Sequence, residues 1–313
     1  MLSFFRSSSI LCFFLGVLAC TPEPEPPKQK LLIDADTANE VDDLFAIVGA
    51  LAEPEWEVVG ITSAQFHISP LTGDSSVWES QQINEDIARL MSLPDLPLPL
   101  GCPEPLQDTI HPIPSPATDF IIAQAHQMPE GEKLPIVILG SCTNVASAIL
   151  VDPTIIPKVS VSYLGFWHDT TDNHYDKKEF NSGNDTLAVN VLLNTPGLAM
   201  EVMTATTSQR LVFRKKVVDQ YLTGKGALAA YLQNRWETYE RWWTQEDPEK
   251  TAWIMWDVAI IEALIHPEMA ERRLYPTPPE NYPREIGIYA AIDTAAMEAG
   301  FWERFTAWQA AQP

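Results

Sequence analysis

Five carboxylates fall within ten residues in the run Asp34-Ala-Asp36-Thr-Ala-Asn-Glu40-Val-Asp42-Asp43. They follow the apolar segment Leu31-Leu-Ile33 and precede Leu44-Phe-Ala-Ile-Val48, so they sit where a strand ends and a helix begins. A two-residue period puts Asp34 and Asp36 on one strand face, and Asp42 and Asp43 open the first helical turn. Like charges about 4 Å apart repel by roughly 4 kcal/mol at an effective dielectric near 20, so the cluster needs either protons or a cation. Acids that merely cap a helix gain roughly 0.3–1 kcal/mol each. That accounts for one or two of them, not for four converging on a strand terminus. All-oxygen ligation selects a hard cation: calcium first, because it accepts roughly six to eight oxygen ligands, and magnesium second.

The elements that must position these acids follow from hydrophobic periodicity. Strands are predicted at Lys30–Ala35, Trp56–Ser63, Leu134–Leu139, Val159–Gly165, Ala199–Thr204 and Glu285–Ala291. Helices are predicted at Glu40–Ala52, Ser75–Met91, Thr118–Gln127, Asn144–Val151, Asp185–Leu193, Lys225–Trp243, Ala252–Ile265 and Ala295–Trp308. Strand-helix alternation of this kind predicts one α/β domain over residues 30–313, with a mostly parallel central sheet flanked by helices. Ligands of such sheets bind outside the carboxyl ends of the strands, which directs attention to the residues just after each strand.

The acidic segment resembles the signature of the inosine-uridine-preferring nucleoside hydrolase family, whose first strand ends Asp-x-Asp-Pro-Gly-x-Asp-Asp. Asp34, Asp36, Asp42 and Asp43 match its acids, although Pro-Gly is absent and five residues, not three, separate Asp36 from Asp42. Val58-Val-Gly-Ile-Thr-Ser63 resembles the family's second strand, and Leu139-Gly-Ser-Cys-Thr143-Asn144 its Leu-Thr-Asn turn. Glu179-Phe180-Asn181 matches the Glu-Phe-Asn substrate motif, Asn173 falls at the matching offset before it, and Trp256-Asp257 aligns with the family's late aspartate.

The resemblance implies a Rossmann-like nucleoside hydrolase fold and calcium-dependent hydrolysis of the N-glycosidic bond of a ribonucleoside. Asp36 would be metal ligand and general base, Asp43 and Asp257 metal ligands, and Thr143 a carbonyl ligand. Asp42, Asn173, Glu179 and Asn181 would hold ribose hydroxyls, and Asp34 would orient the loop without touching the metal. Carboxylates suit an oxocarbenium-like transition state, and a metal lowers the pKa of bound water.

Two departures blur the leaving group. His67 stands where several members carry an asparagine, and Trp256 where purine-active members often carry a histidine. Trp256 is read as a base-stacking residue, and His67 and His168 as alternatives for the leaving-group acid. Trp236, Tyr239 and Trp243 recur at helical spacing, which reads as a packing face, and Arg235, Arg241 and Lys250 read as solvated.

Composition bounds the partners. Lys and Arg number 20 against 42 Asp and Glu, a net charge of −22, so no basic face is available for nucleic acid. The segment 1–19 has one early positive charge, an apolar run and the ending Val17-Leu-Ala19 before Cys20. It resembles a bacterial lipoprotein signal and implies lipid on Cys20, with residues 20–29 a proline-rich spacer. The expected location is the bacterial cell envelope, lipid-anchored at a membrane. Cys102 and Cys142 are read as buried and unpaired. Family members are often dimers or tetramers, and no interface motif is legible here.

Two other readings compete. A lipid-anchored protein that binds a nucleoside or sugar through calcium without turnover would use the same residues. A haloacid dehalogenase-type phosphatase also begins with Asp-x-Asp, but it wants threonine at position 38, where alanine stands.

Overall fold

The first strand, β1 (Gln29–Ala35), is buried on both faces because its residues alternate between two cores. Leu31, Ile33 and Ala35 enter one core and Leu32 the other. In the computed structural model, which describes residues 28–67, 75–240 and 242–312, the chain continues through α1 (Asp42–Leu51), β2 (Trp56–Ser63), α2 (Ser76–Leu90), α3 (Pro116–His126), β3 (Leu134–Ile138), α4 (Thr143–Val151) and β4 (Val159–Leu164). A small hairpin, β5 (Trp167–Asp169) and β6 (His174–Asp176), precedes α5 (Phe180–Asn184), α6 (Thr186–Leu193), β7 (Ala199–Met203) and α7 (Ala205–Ser208). Then come β8 (Val212–Arg214), α8 (Lys215–Leu222), α9 (Ala227–Thr238), β9 (Ala252–Ile254), α10 (Trp256–Ile265), β10 (Ala270–Pro276), β11 (Glu285–Ile292) and α11 (Thr294–Ala311).

Seven strands form one sheet in the order β10-β11-β7-β4-β3-β1-β2, every pairing parallel except β10 with β11. The predicted single α/β domain with a mostly parallel sheet is what forms. From β1 the chain goes to β2 on one side and then returns to place β3 on the other. The crevice outside the carboxyl ends of β1 and β3 is therefore the topological switch point, where doubly wound sheets bind ligands. Residues of α1 and α8 to α11 fill the core on one face, and those of α3, α4 and α6 the core on the other.

Phe45 on α1 packs within 6.3 Å, centroid to centroid, of Phe213, Trp236, Phe301 and Trp302. Trp236 is thus the packing residue its spacing predicted, and Tyr239 lies against Trp253. The side chain of Trp243 and all of Arg241 lie outside the described residues, as do the segment 1–19 and Cys20. Cys102 and Cys142 are buried and unpaired. No helix among the described residues is long and apolar enough to cross a membrane.

The structure corrects several sequence expectations. The stretch 252–265 is not one helix: Ala252–Ile254 pairs antiparallel with Val212–Arg214, and α10 starts only at Trp256. A tertiary strand partner there overrides an apolar pattern that suits either element. The helix predicted at Lys225–Trp243 ends at Thr238, because Tyr239 adopts an extended conformation (φ −70°, ψ 130°). Arg235 and Lys250 are not solvated. Arg235 donates to the carbonyls of Ala38 and Glu40 and so pins the loop that carries the acids. Lys250 is buried and donates to the Glu237 carbonyl and the Glu240 carboxylate. The edge strand β10, the small hairpin of β5 and β6, and the paired short strands β8 and β9 have no counterpart among the predicted strands.

Candidate active site

β1 ends at Ala35, one residue before Asp36, so Asp34 and Asp36 part company despite their two-residue spacing. Asp34 remains in the ladder, where its carboxylate accepts from the Thr62 hydroxyl at 2.6 Å and from Asn144 Nδ2 at 2.7 Å. Burial pushes its pKa up to about 7 against those two bonds. Asn144 also donates to the Ser63 carbonyl and accepts from the Cys102 amide, so Asp34 ties the ends of β1, β2 and α4 together.

Asp36 instead lines a cavity of about 650 Å³ at the switch point. It packs against Gly140, just after β3, so tightly that a Cβ there would lie 2.8 Å from the Asp36 carboxyl. Gly140→Ala is therefore expected to displace Asp36 and to lower kcat far more than stability, an overpacking cost of about 1–3 kcal/mol. Comparing turnover with the melting temperature of that variant checks this.

Asp42 and Asp43, in the first turn of α1, and Asp257, in the first turn of α10, are buried in the same cavity wall. One oxygen of each comes within 4.8 Å of the others. Asp42 Oδ2 accepts the backbone N–H of Asp257 at 3.0 Å, so α1 caps α10 directly. Burial raises the pKa of all three. Asp43 reaches about 7 despite a hydrogen bond with Asp257, and Asp42 and Asp257 stand well above the carboxylate range, with their acidic neighbours adding to the effect. Asp43 Oδ1 and Asp257 Oδ1 are buried without a hydrogen-bond partner. Desolvated, mutually repelling oxygens with unmet bonding capacity fit a cation site, because otherwise they are held only by taking up protons.

Glu179 and Asn181 line the same cavity. The Glu179 carboxylate accepts from the amides of Phe166, Asn181 and Ser182 and from the Ser182 hydroxyl, which locks the end of α5 to the turn after β4. Asn181 Nδ2 donates to the carbonyls of Leu139 and Leu164 at 2.7 and 3.1 Å, bridging the turns after β3 and β4. Trp256 lines the cavity and meets Trp167 edge to face, with centroids 5.9 Å apart.

Not every sequence candidate converges. Thr143 opens α4, and its hydroxyl donates to Asp185 at 2.7 Å; it is not among the described residues lining the cavity. Asn173 lies outside the cavity wall, with its amide spent on His168 Nε2 and the Pro276 carbonyl. His168 is buried against Tyr175 and lines a separate cavity that shares Trp167, and desolvation lowers its pKa. His67 is exposed at the end of the described segment 28–67. Sequence reading missed Trp167, Gln209, Glu246, Asp247 and Trp253, all of which line the cavity. Only Trp167 carried a signal, as it follows the carboxyl end of β4 by three residues.

Residues 31–278 match the profile of the family described as inosine-uridine preferring nucleoside hydrolase. The chain belongs to this family. It is accordingly an N-glycosyl hydrolase, which removes the phosphatase reading. A probable uridine nucleosidase 1 of Oryza sativa subsp. japonica is 26% identical over 265 residues, 77% of this chain and 78% of the relative. Uridine nucleosidase 1 of Arabidopsis thaliana is 24% identical over 265 residues, 77% and 75% of the two chains. Among solved structures, a purine-preferring ribonucleoside hydrolase from Gardnerella vaginalis superposes with a TM-score of 0.70 at 19% identity, covering 90% of this chain and 99% of that one. A plant nucleoside hydrolase does so with a TM-score of 0.70 at 20% identity, covering 90% and 100%. These likenesses establish that the nucleoside hydrolase family shares this fold.

Proposed function

We propose that this nucleoside hydrolase is calcium-dependent, cleaves a ribonucleoside to base and ribose, and is held at a membrane of the bacterial envelope by lipid on Cys20. The observation that carries the catalytic reading is the convergence of Asp36, Asp42, Asp43 and Asp257 on one cavity that Glu179 and Asn181 also line. Asp36, Asp43, Asp257 and the Thr143 carbonyl would hold the ion, and an all-oxygen set favours calcium over magnesium. When bound, a divalent cation supplies Lewis acidity that eases deprotonation of water.

The residues of the chain do the rest. Asp36 takes the proton of the attacking water. Asn181 has committed its amide nitrogen to two carbonyls, so it offers its oxygen to a ribose hydroxyl. Glu179, fixed by hydrogen bonds from four donors, accepts from another. The surrounding carboxylates favour the positive charge that develops on the ribosyl ring as the glycosidic bond breaks.

Ribose release from a nucleoside panel, with calcium and with chelator, tests the proposal. Uridine comes first, since the plant relatives are named uridine nucleosidases. Calcium-dependent release is the expected result. Tight nucleoside retention without release would leave only the binding-protein reading. For the anchor, Cys20→Ser is expected to move the protein from the membrane to the soluble fraction, and a variant still in the membrane pellet would refute lipidation.

A further inference from the structure

Asp36 and the pair Asp42-Asp43 stand at the two ends of a short loop, residues 37–41, that contains neither proline nor glycine. The loop also contributes Asn39 and Glu40 to the cavity lining, and the Asn39 amide donates back to the Asp36 carbonyl at 2.7 Å. Ordinary loop residues have many conformations open to them, and those that misplace a carboxylate must be given up when an ion binds. Two helices from distant parts of the chain restrict that choice. From α2, Asn84 Oδ1 accepts from the Thr37 hydroxyl at 2.6 Å and the Ser80 hydroxyl accepts from the Ala38 amide at 3.4 Å, both α2 residues being fully buried. From α9, Arg235 donates through Nη2 to the Ala38 carbonyl at 2.6 Å and through Nε to the Glu40 carbonyl at 3.0 Å. One turn earlier on α9, the Tyr231 hydroxyl donates to Asp86 on α2 at 3.1 Å and ties the two helices to each other.

Arg235 is itself held in orientation. Its guanidinium lies over the Tyr239 ring, 4.1 Å from the centroid, and Tyr239 packs against Trp253 of the cavity wall. A planar fork that spans two carbonyls while its face rests on an aromatic ring is a combination that lysine does not reproduce. We infer that Arg235 is a positioning residue of the cation site: by holding Ala38 and Glu40 it keeps the loop in the shape that places Asp36 and Asp43, so that ion binding does not have to order the loop. This inference rests on the calcium reading and deepens it. The charge of Arg235 acts in the opposite direction. It is near enough to favour the ionised form of Asp43, but it repels an incoming cation. A residue acting through charge alone would let calcium bind more tightly once neutralised, whereas a residue that positions the loop weakens calcium binding when it is lost.

The test is a calorimetric calcium titration of the full chain and of its Arg235→Gln and Arg235→Lys variants, with amide hydrogen exchange of residues 36–41 measured in chelator. The expected result is calcium affinity weaker by about 10–100-fold in both variants, the scale of one or two charge-assisted hydrogen bonds, together with faster exchange across the loop. Val191→Ala, in the core on the other face of the sheet, lowers the melting temperature without touching the loop and is expected to keep the parental affinity, which separates positioning from general destabilisation. A loss below about tenfold in either Arg235 variant, tighter binding in Arg235→Gln, unchanged exchange, or an equal loss in Val191→Ala would overturn the inference and leave the calcium reading intact. Should Arg235→Gln not fold, Arg235→Lys, which keeps the charge and most of the stem, decides alone. A parent protein that takes up no calcium would defeat the calcium reading, and the inference with it.

Discussion

Asp36→Asn lowers kcat for ribonucleoside hydrolysis by about 10²–10⁴-fold, the usual contribution of a positioned base, and leaves the fold unchanged. Asparagine keeps the shape that fits against Gly140 but cannot hold a proton taken from water. It also removes one negative charge acting on Asp257, where Asp36 contributes to the raised pKa, so apo stability should hold or rise slightly. A loss of activity caused by weaker metal binding would be rescued by more calcium, whereas loss of the base would not. Steady-state rates across a calcium titration, with a thermal melt of the same sample, separate the two. A variant that retains turnover within tenfold of the parent would exclude Asp36 as the base.

The second large effect is on stability. In the cation-free protein burial raises the pKa of Asp43 from the ordinary aspartate range to about 7, with Asp42 and Asp257 shifted the same way. A carboxyl whose folded pKa lies above its unfolded one contributes stability below the unfolded value and loses it as pH rises through the folded value. Chelated protein should therefore melt progressively lower between about pH 5 and pH 8. Calcium at about 100 times its dissociation constant adds roughly 2.7 kcal/mol, or on the order of 5–10 °C for a domain of this size, and should remove most of that pH dependence. Asp257→Ala should abolish the calcium-induced shift. Parallel melts of chelated and calcium-loaded protein at several pH values decide the matter, and a calcium-independent melting temperature at pH 8 would remove the cation from this site.

How the elements converge explains what could be read early. Asp34, Asp36, Asp42 and Asp43 were legible because they crowd one strand-to-helix junction, where repulsion between near neighbours in sequence is already a physical problem. Glu179, Asn181 and Asp257 were legible only through the family's motifs, since nothing local in the sequence marks them as neighbours of residue 36. The duties of Asp42, holding the start of α10, and of Arg235, holding the carbonyls of Ala38 and Glu40, were not legible at all. Both bonds span about two hundred residues of chain.

The sequence by itself determined the class of sheet, the position of the acidic strand end and the hardness of the cation it would take, because strand period, helix period and like-charge repulsion are local properties. Tertiary structure decided which acids share a cavity, which histidines are excluded from its described wall and which other residues line it. Trp167 arrives from the turn after β4, Gln209 from the end of α7, and Asp247 and Trp253 from the stretch that runs into β9. These segments are short, and their side chains obtain a common function only when the parallel sheet brings the turns at one end into register. That alignment is a long-range packing outcome, which no window of neighbouring residues encodes.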